Sequence, residues 1–273
     1  MTRQRTPKPD ERATNVSEWD ARAYHTVAEP QFAWGQRVLA TLELAGTECV
    51  LDAGCGTGRL TMLLAERLRQ GFVVALDRSF NMAQVARSTL ASLESRTAVV
   101  LADLVDLPFA GVFDVVFSTA SFHWVLDHDR LFANLFAALK PGGRVHAQCG
   151  GSANLARILS RANALAREPS YAPEFAGWTR PSHFATAADT RDRLSDTGFE
   201  DIRTWIEPAP TTFVDAAAFR DFVTAVVLRP FLSRIAGEQR RTAFVEALVD
   251  AAAHDDPAYT LDYWRLNIIA RRP

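Results

Sequence analysis

The fold is decided by the stretch Val50-Leu51-Asp52-Ala53-Gly54-Cys55-Gly56-Thr57-Gly58. A short apolar run leads into three glycines at alternate positions, and leucines at helical spacing follow from Leu60 onward. This order predicts a buried strand, a tight loop and a helix. Glycine permits a positive φ or the close approach of a ligand, and the N-terminus of the helix offers N–H groups without intrahelical partners. A ligand is therefore expected to lie against this loop.

Two kinds of cofactor use such a loop. The dinucleotide fingerprint Gly-x-Gly-x-x-Gly places a pyrophosphate at the helix N-terminus. Here the third glycine, Gly58, comes one residue early, and Asp52 stands just before the loop. An anion at that position opposes a pyrophosphate and suits a cationic ligand. An NAD-dependent oxidoreductase stays open as an alternative that fits the pattern less well.

A second apolar run, Phe72-Val73-Val74-Ala75-Leu76, ends in Asp77, 25 residues after Asp52. A carboxylate at this spacing can accept hydrogen bonds from the ribose hydroxyls of either kind of cofactor. Further apolar runs over residues 98–101 and 112–118 predict two more buried strands, and residues 139–145 predict the end of a helix, a turn and a fifth strand. Strands that alternate with helical patterns in this way predict an α/β fold with a mostly parallel sheet.

Taken together, these motifs resemble those of class I S-adenosylmethionine (SAM)-dependent methyltransferases, strongly over residues 50–148. The resemblance implies a Rossmann-like sheet of seven strands that ends in an antiparallel hairpin, with helices on both faces and helical cap insertions. It puts Asp77 at the ribose of SAM and Asp103, after the third strand, at the adenine amino group. The residues that it assigns to the cofactor are Asp52, Gly54, Cys55, Gly56, Asp77, Arg78, Met82, Asp103, Leu104 and Ser118.

The chain is expected to form one methyltransferase domain over residues 16–273, behind a mobile tail at residues 1–15. Its N-terminal part is predicted to be a lid of two helices that are broken near Pro30, with Tyr24 and Gln31 as lid candidates. The lid is expected over residues 16–45 and the SAM-binding core over residues 48–150. The two cap insertions are expected over residues 150–181 and 208–257. Strands over residues 201–206 and 260–270 are expected to form the terminal hairpin.

Candidates for the methyl acceptor site follow the fourth predicted strand, in Ser118-Thr119-Ala120-Ser121-Phe122-His123-Trp124-Val125. Ligands of open α/β sheets bind at the carboxyl ends of the strands, so this stretch is expected to face the cofactor. Together with Trp19, Tyr24, Gln31 and Gln148, it resembles the trans-aconitate methyltransferase group and, more distantly, malonyl-ACP and juvenile hormone acid methyltransferases. These enzymes esterify carboxylates, so the resemblance implies a small carboxylic acid as acceptor, with Gln31 and Trp124 as the residues that hold it. His123 is a further catalytic candidate.

The sequence departs from that group at two places. Phe122-His123 stands where the group has Leu-Gln, and Cys149-Gly150-Gly151 replaces its Met-Pro-x-Asn. The particular acid is therefore left open.

The chemistry follows from the ionisation of the acceptor. A carboxylate with a pKa of about 4 is already a nucleophile at neutral pH, so neutral donors such as Gln31 and Trp124 need only orient it. A phenol or an amine would instead have to lose a proton, and His123 is then the candidate base for O- or N-methylation. A non-catalytic SAM-binding module is a further alternative from another class.

Composition sets the remaining expectations. The 273 residues are 48% hydrophobic and 23% charged, as in ordinary globular chains. A net charge of −2 and a pI of about 6.3 predict no broad attraction to nucleic acid or anionic membranes. Three cysteines, Cys49, Cys55 and Cys149, lie in or beside predicted buried strands, which favours a reducing, cytoplasmic setting. No metal, nucleic acid or membrane partner is expected, and the protein is predicted to be a monomer or a homodimer.

Overall fold

The computed structural model describes Glu18, Trp19, Ala21 and residues 28–273. The predicted tail at residues 1–15, most of the first lid helix and Tyr24 lie outside this part of the chain. Within it, no helix combines the length and the apolar composition that crossing a bilayer would require.

Seven strands form the central sheet, and two short strands pair with each other. In chain order the strands are β1 (Cys49–Ala53), β2 (Phe72–Asp77), β3 (Thr97–Leu101), β4 (Phe113–Thr119), β5 (Leu139–Gly150), β6 (Glu200–Pro208), β7 (Thr211–Thr212), β8 (Thr260–Leu261) and β9 (Trp264–Arg271). The order in the central sheet is β3-β2-β1-β4-β5-β9-β6. Strands β1 to β5 pair in parallel, whereas β9 runs antiparallel to both β5 and β6. The predicted α/β fold with an antiparallel terminal hairpin is confirmed.

The second strand of the hairpin begins later than the predicted residue 260. Thr260–Leu261 form β8 and pair with β7 instead. The break lies at Asp262, whose backbone and side-chain oxygens accept N–H groups of Leu155 and Arg157 at 3.0 and 3.1 Å. These bonds hold the chain between β8 and β9 against the cap, so the long strand starts at Trp264.

The helices surround the sheet. They are α1 (Glu29–Thr41), α2 (Arg59–Arg67), α3 (Phe80–Thr89), α4 (His128–Ala138), α5 (Ala156–Leu165), α6 (Ala172–Phe175), α7 (Ala187–Thr197), α8 (Ala216–Phe222), α9 (Arg229–Leu232) and α10 (Glu238–Ala253). A 3₁₀ turn at Phe122–Trp124 precedes α4, and a π-helical turn at Val223–Val227 follows α8.

Local sequence signals set several helix ends. Pro30 lies in the first turn of α1, where its missing N–H leaves no helical bond unmade. The side chains of Ser79 and Thr186 accept backbone N–H groups of Met82 and Asp189, which makes both residues N-caps. Gly198 ends α7 with a φ of +101°, a left-handed conformation that glycine adopts without strain.

Three large apolar clusters organise the packing of the described residues, and a small fourth one joins Ala75 of β2 to Ala86 of α3. Helices α4 and α7 cover one face of the sheet, and α1 and α2 cover the other. The third cluster joins α5, α8, α9 and α10 with Trp34 of α1 and with Tyr263, just before β9. Helices from both predicted cap insertions therefore share one apolar core, here called the cap. The division of the chain into a core and two insertions stays a prediction.

Candidate functional site

A cleft of about 1200 Å³ lies along the carboxyl ends of β1 to β4, beside the cap. One end, the cofactor end, is lined by Gly54, Gly56, Asp77, Met82, Asp103 and Leu104. The other end, the acceptor end, is lined by Gln31, His123, Trp124, Arg180, Tyr263 and Arg265, among others.

Gly54 fixes the first turn of the glycine loop. Its φ is +83°, and its N–H and that of Cys55 both donate to the carbonyl of Leu76, at 2.8 and 2.9 Å. The Ser121 hydroxyl donates to the carbonyl of Gly54 at 3.1 Å. A Cβ at position 54 would collide with that hydroxyl, so the loop is held between β2 and the chain after β4 only if this residue is glycine.

Gly56 opens the loop toward the cleft. With a φ of +55°, it has no atom within 4 Å of the position that a Cβ would take. Its N–H donates to Asp77 Oδ2 at 2.9 Å, and the N–H of Ser79 donates to Asp77 Oδ1 at 2.8 Å. Each carboxylate oxygen has a second lone pair. The arrangement therefore fits a ligand whose hydroxyls donate to Asp77 while its body lies over Gly56.

Burial raises the pKa of Asp77, and the N–H groups of Ser79 and Gly56 act in the opposite direction because they stabilise the carboxylate. Arg78, Met82, Asp103 and Leu104 line the same cofactor end. One oxygen of Asp103 accepts the N–H of Val105 at 3.1 Å.

Cys55 lies on a smaller cleft of about 460 Å³, which shares Gly54, Gly56 and Gln31 with the main one. Burial raises the pKa of its thiol well above the ordinary value, so the thiol is protonated.

Two residues assigned to the cofactor lie beneath the loop and not on either cleft. Asp52 accepts the hydroxyl of Thr61 at 2.6 Å, and burial raises the pKa of its carboxyl to about 7. The hydroxyl of Ser118 donates to the carbonyl of Ala53 at 2.7 Å. The geometry gives both side chains a role in bracing the end of β1. A contact with the cofactor stays a prediction for both.

Gln31, His123 and Trp124 all line the main cleft. The rings of His123 and Trp124 lie 5.1 Å apart, and the ring of Trp19 meets Trp124 edge-on at 5.5 Å. The amide Nε2 of Gln31 donates to the Tyr263 hydroxyl at 3.5 Å, whereas its Oε1 is buried without a hydrogen-bond partner among the described residues. One end of this amide is thus left to pair with a ligand.

The hydrogen bond of His123 determines what its ring can do. Nδ1 accepts the N–H of Gly150 at 3.3 Å. Burial, followed by the charge of Arg265, lowers the pKa of His123 well below the ordinary value. The ring is therefore neutral and carries its proton on Nε2. Because the ring lines the cleft, His123 can act there as a hydrogen-bond donor and is poorly suited to accept a proton.

Two arginines at the acceptor end were not anticipated from the sequence. The guanidinium of Arg265 lies 4.6 Å from the Trp34 ring, and its Nε donates to Gln148 Oε1 at 3.3 Å. Arg180 lies 4.9 Å over the Phe184 ring and has no carboxylate within 4 Å in the described part of the chain. Burial lowers the pKa of Arg180. Among the described residues, the carboxylates that line the cleft, Asp77 and Asp103, belong to the cofactor end.

One sequence signal could have identified Arg265. It is a charged residue between the apolar residues Trp264 and Leu266 of β9, and buried charges are retained mainly where they are paired or bind something. Arg180 lies in an irregular segment before Pro181, where an arginine is unremarkable.

Comparison with known proteins agrees with this geometry. A family model described as a methyltransferase domain matches residues 50–143. Trans-aconitate 2-methyltransferase of Methylobacterium radiotolerans is 30% identical over 268 residues, which cover 94% of this chain and 99% of that protein. The enzyme of the same name from Deinococcus radiodurans is 30% identical over 80% of this chain and 84% of its own length.

Solved structures show the same fold. Phosphoethanolamine N-methyltransferase 2 of Haemonchus contortus, in complex with S-adenosylhomocysteine, aligns with a TM-score of 0.62 at 19% identity, over 96% of this chain and 58% of that chain. Geranyl diphosphate C-methyltransferase of Streptomyces coelicolor aligns with a TM-score of 0.54 at 18% identity, over 89% and 76% of the two chains. The predicted Rossmann-like methyltransferase fold is confirmed.

Proposed function

Since the chain belongs to the family of SAM-dependent methyltransferases that includes the trans-aconitate 2-methyltransferases, we propose that it methylates a carboxylate oxygen of a small organic acid. The observation that carries the proposal is the charge of the acceptor end. Arg180 and Arg265 line it, and no carboxylate of the described residues does. A half-buried cation without a carboxylate partner, as at Arg180, costs free energy that an anionic ligand offsets. An ammonium acceptor would instead be repelled.

The cofactor end supplies the methyl donor. Bound SAM provides a methyl group on a sulfonium, which an aligned nucleophile can displace. In this proposal Asp77 accepts the ribose hydroxyls, Asp103 binds the adenine amino group, and the bare backbone of Gly56 lets the cofactor lie against the loop. The free lone pairs of Asp77 and the open space above Gly56 support this assignment.

The acceptor end orients the carboxylate. Trp124 can donate its indole N–H, and His123 can donate its Nε2–H. The Tyr263 hydroxyl can donate as well as accept, so the Gln31 amide can turn and present its NH₂ to the cleft. A carboxylate needs no base, because it is ionised at neutral pH, and the catalytic gain comes from holding it in line with the methyl group.

The geometry of His123 also bears on the alternative acceptors. A phenol or an amine needs a base to remove its proton, and in this site His123 would be that base. Its Nδ1 is occupied by the Gly150 N–H, its Nε2 already carries a proton, and its pKa lies well below the ordinary value. These features favour a carboxylate acceptor over a phenol or an amine.

The experiment is a transfer assay with methyl-labelled SAM and a panel of mono-, di- and tricarboxylic acids, phenols and primary amines. Label is expected on acids only. Arg180→Gln should raise KM for the acids by roughly 10- to 100-fold, the loss expected for a charge-assisted hydrogen bond, without changing the Kd of SAM. Arg191→Gln, at an exposed position on α7, is the matched control and should change neither value. Transfer to phenols or amines with none to acids would overturn the proposal.

A further inference from the structure

The acceptor end has an apolar side that the methylation of a carboxylate does not require. Five side chains of the cap line it, here called the alkyl wall: Leu155, Leu159, Val226, Val227 and Pro230. The first four keep 6–8% of their surface exposed, although they belong to the apolar cluster of the cap. Their chain neighbours Phe222, Val223 and Leu228 keep 2% or less. The remaining exposure of the four therefore faces the cleft.

The π-helical turn helps to form this wall. Consecutive residues Val226 and Val227 both line the cleft at the wide turn that Val223–Val227 makes before Pro230. Such turns are rare and occur frequently at functional sites. Two β-branched side chains at this position present a rigid aliphatic surface with few rotamers to order.

The alkyl wall connects to the polar part of the acceptor end on one side through Asn154. The Asn154 Oδ1 accepts the N–H of Trp264 at 3.0 Å, next to Arg265. A Cβ at Gly150 would lie 2.7 Å from Asn154 Nδ2 and 2.9 Å from the Phe184 ring. The N–H of Gly150 donates to Nδ1 of His123. Asn154 therefore lies beside the polar groups of the acceptor end, and the next residue along the chain, Leu155, belongs to the alkyl wall.

On the other side the connection runs through Trp19. The Trp19 ring contacts Trp124, and the guanidinium of Arg229 lies 4.7 Å over the same Trp19 ring. Arg229 immediately precedes Pro230 of the wall. The polar groups and the alkyl wall therefore border one continuous space.

Resting on the proposed function, we propose that the acceptor is a dicarboxylic acid with an alkyl substituent. One carboxylate is methylated beside Gln31 and Trp124, the second pairs with Arg180 and Arg265, and the substituent packs on the alkyl wall. A third carboxylate packed on these five side chains would lose hydration, and none of the five can donate a hydrogen bond to it. An alkyl group there gains about fourfold in affinity for each buried methylene.

The test is a series of butanedioic acids with hydrogen, methyl, ethyl and propyl at carbon 2, with trans-aconitate for comparison. Calorimetry on protein saturated with S-adenosylhomocysteine gives Kd without turnover, and methyl transfer from labelled SAM is measured in parallel. Kd should fall about three- to fourfold per added carbon. Val226→Thr places a hydroxyl on the wall at nearly constant volume and should reduce the affinity ratio of the propyl to the unsubstituted acid by roughly five- to tenfold.

Val249→Thr is the matched control, because Val249 belongs to the same apolar cluster but does not line the cleft. It should leave the affinity ratio unchanged even if it lowers Tm. A Kd that does not depend on chain length, or tighter binding of trans-aconitate than of the propyl acid, would overturn the inference. If the ester forms but Kd does not depend on the length of the alkyl substituent, the role of the alkyl wall is overturned and the proposed reaction is not. Chain-length-dependent binding without ester formation supports the wall and overturns the proposed reaction.

Discussion

Replacement of His123 by glutamine and by alanine separates a ring that positions the acceptor from a ring that takes its proton. Two hydrogen bonds depend on this side chain: the 3.3 Å bond that Nδ1 accepts from Gly150, and the bond that Nε2–H can donate into the cleft. A hydrogen bond to a carboxylate contributes about 1.5–3 kcal/mol, so its loss should lower kcat/KM by about 10- to 150-fold. Glutamine can accept from Gly150 through Oε1 and donate through Nε2. We expect His123→Ala to suffer this loss and His123→Gln to keep most of the activity.

The pH profile of the same variants adds a second readout. Between about pH 6 and 9 the wild-type rate should be nearly flat, because a carboxyl acceptor with a pKa of about 4 is ionised throughout that range. His123 adds no titration there, since its pKa lies well below the ordinary value. A phenol or an ammonium, with a pKa of about 10, would make the rate rise with pH.

Single-turnover rates at saturating SAM measure the chemical step in these variants. Calorimetric SAM binding verifies that their cofactor end is intact. If His123→Gln were as inactive as His123→Ala, and the wild-type rate rose steeply across the range, His123 would be the base and the positioning argument would be refuted.

Three further predictions concern the cofactor and the fold. Asp77→Ala should weaken SAM binding by roughly 10- to 100-fold in calorimetry, because a charged acceptor of hydrogen bonds is lost; equal affinity in a folded variant would remove Asp77 from the site. Gly56→Val should abolish SAM binding. Gly142→Val, at another open position with a positive φ, should lower Tm by a similar amount and leave SAM binding intact. If both variants bound SAM alike, the cofactor would not lie over Gly56. Burial lowers the pKa of His146 in the folded state to about 4. As the pH falls below about 6.5, His146 is protonated in the unfolded chain but not in the folded one, so the free energy of unfolding decreases. His146→Gln, which can still pair with Thr41, should therefore keep about 2 kcal/mol more of its free energy of unfolding than the wild type between pH 7 and pH 5, as measured by urea unfolding. An equal loss in both proteins would contradict the shifted pKa.

The elements around the glycine loop could be predicted because their signals are local. An apolar run, alternate glycines and a leucine-spaced helix follow one another within about 20 residues, and Ser79 and Thr186 cap helices that begin at the next residue. The strand order then follows from the resemblance to a known family. The late start of β9 could not be predicted, since it depends on bonds from Asp262 to the distant α5 region.

Side-chain roles at the site depend on partners that are far apart in sequence. Asp52 lies near the end of its strand, as the resemblance implies, but its carboxyl accepts the Thr61 hydroxyl of the next helix and does not line the cleft. The tautomer of His123 is set by Gly150, 27 residues away. Arg180 and Arg265 come together only because an irregular segment and the last strand meet at the cap. These contacts cannot be predicted from any local sequence pattern.

The most direct test of carboxylate methylation is the fate of the transferred methyl group in mild alkali. The protein is incubated with methyl-labelled SAM and the acid that turns over fastest, and the product is isolated and treated with base. An ester hydrolyses under these conditions, whereas an ether or an N-methyl group does not. For a carboxylate acceptor, we expect the label to be released as methanol and the original acid to be recovered. Label that stays on the product through this treatment would contradict it.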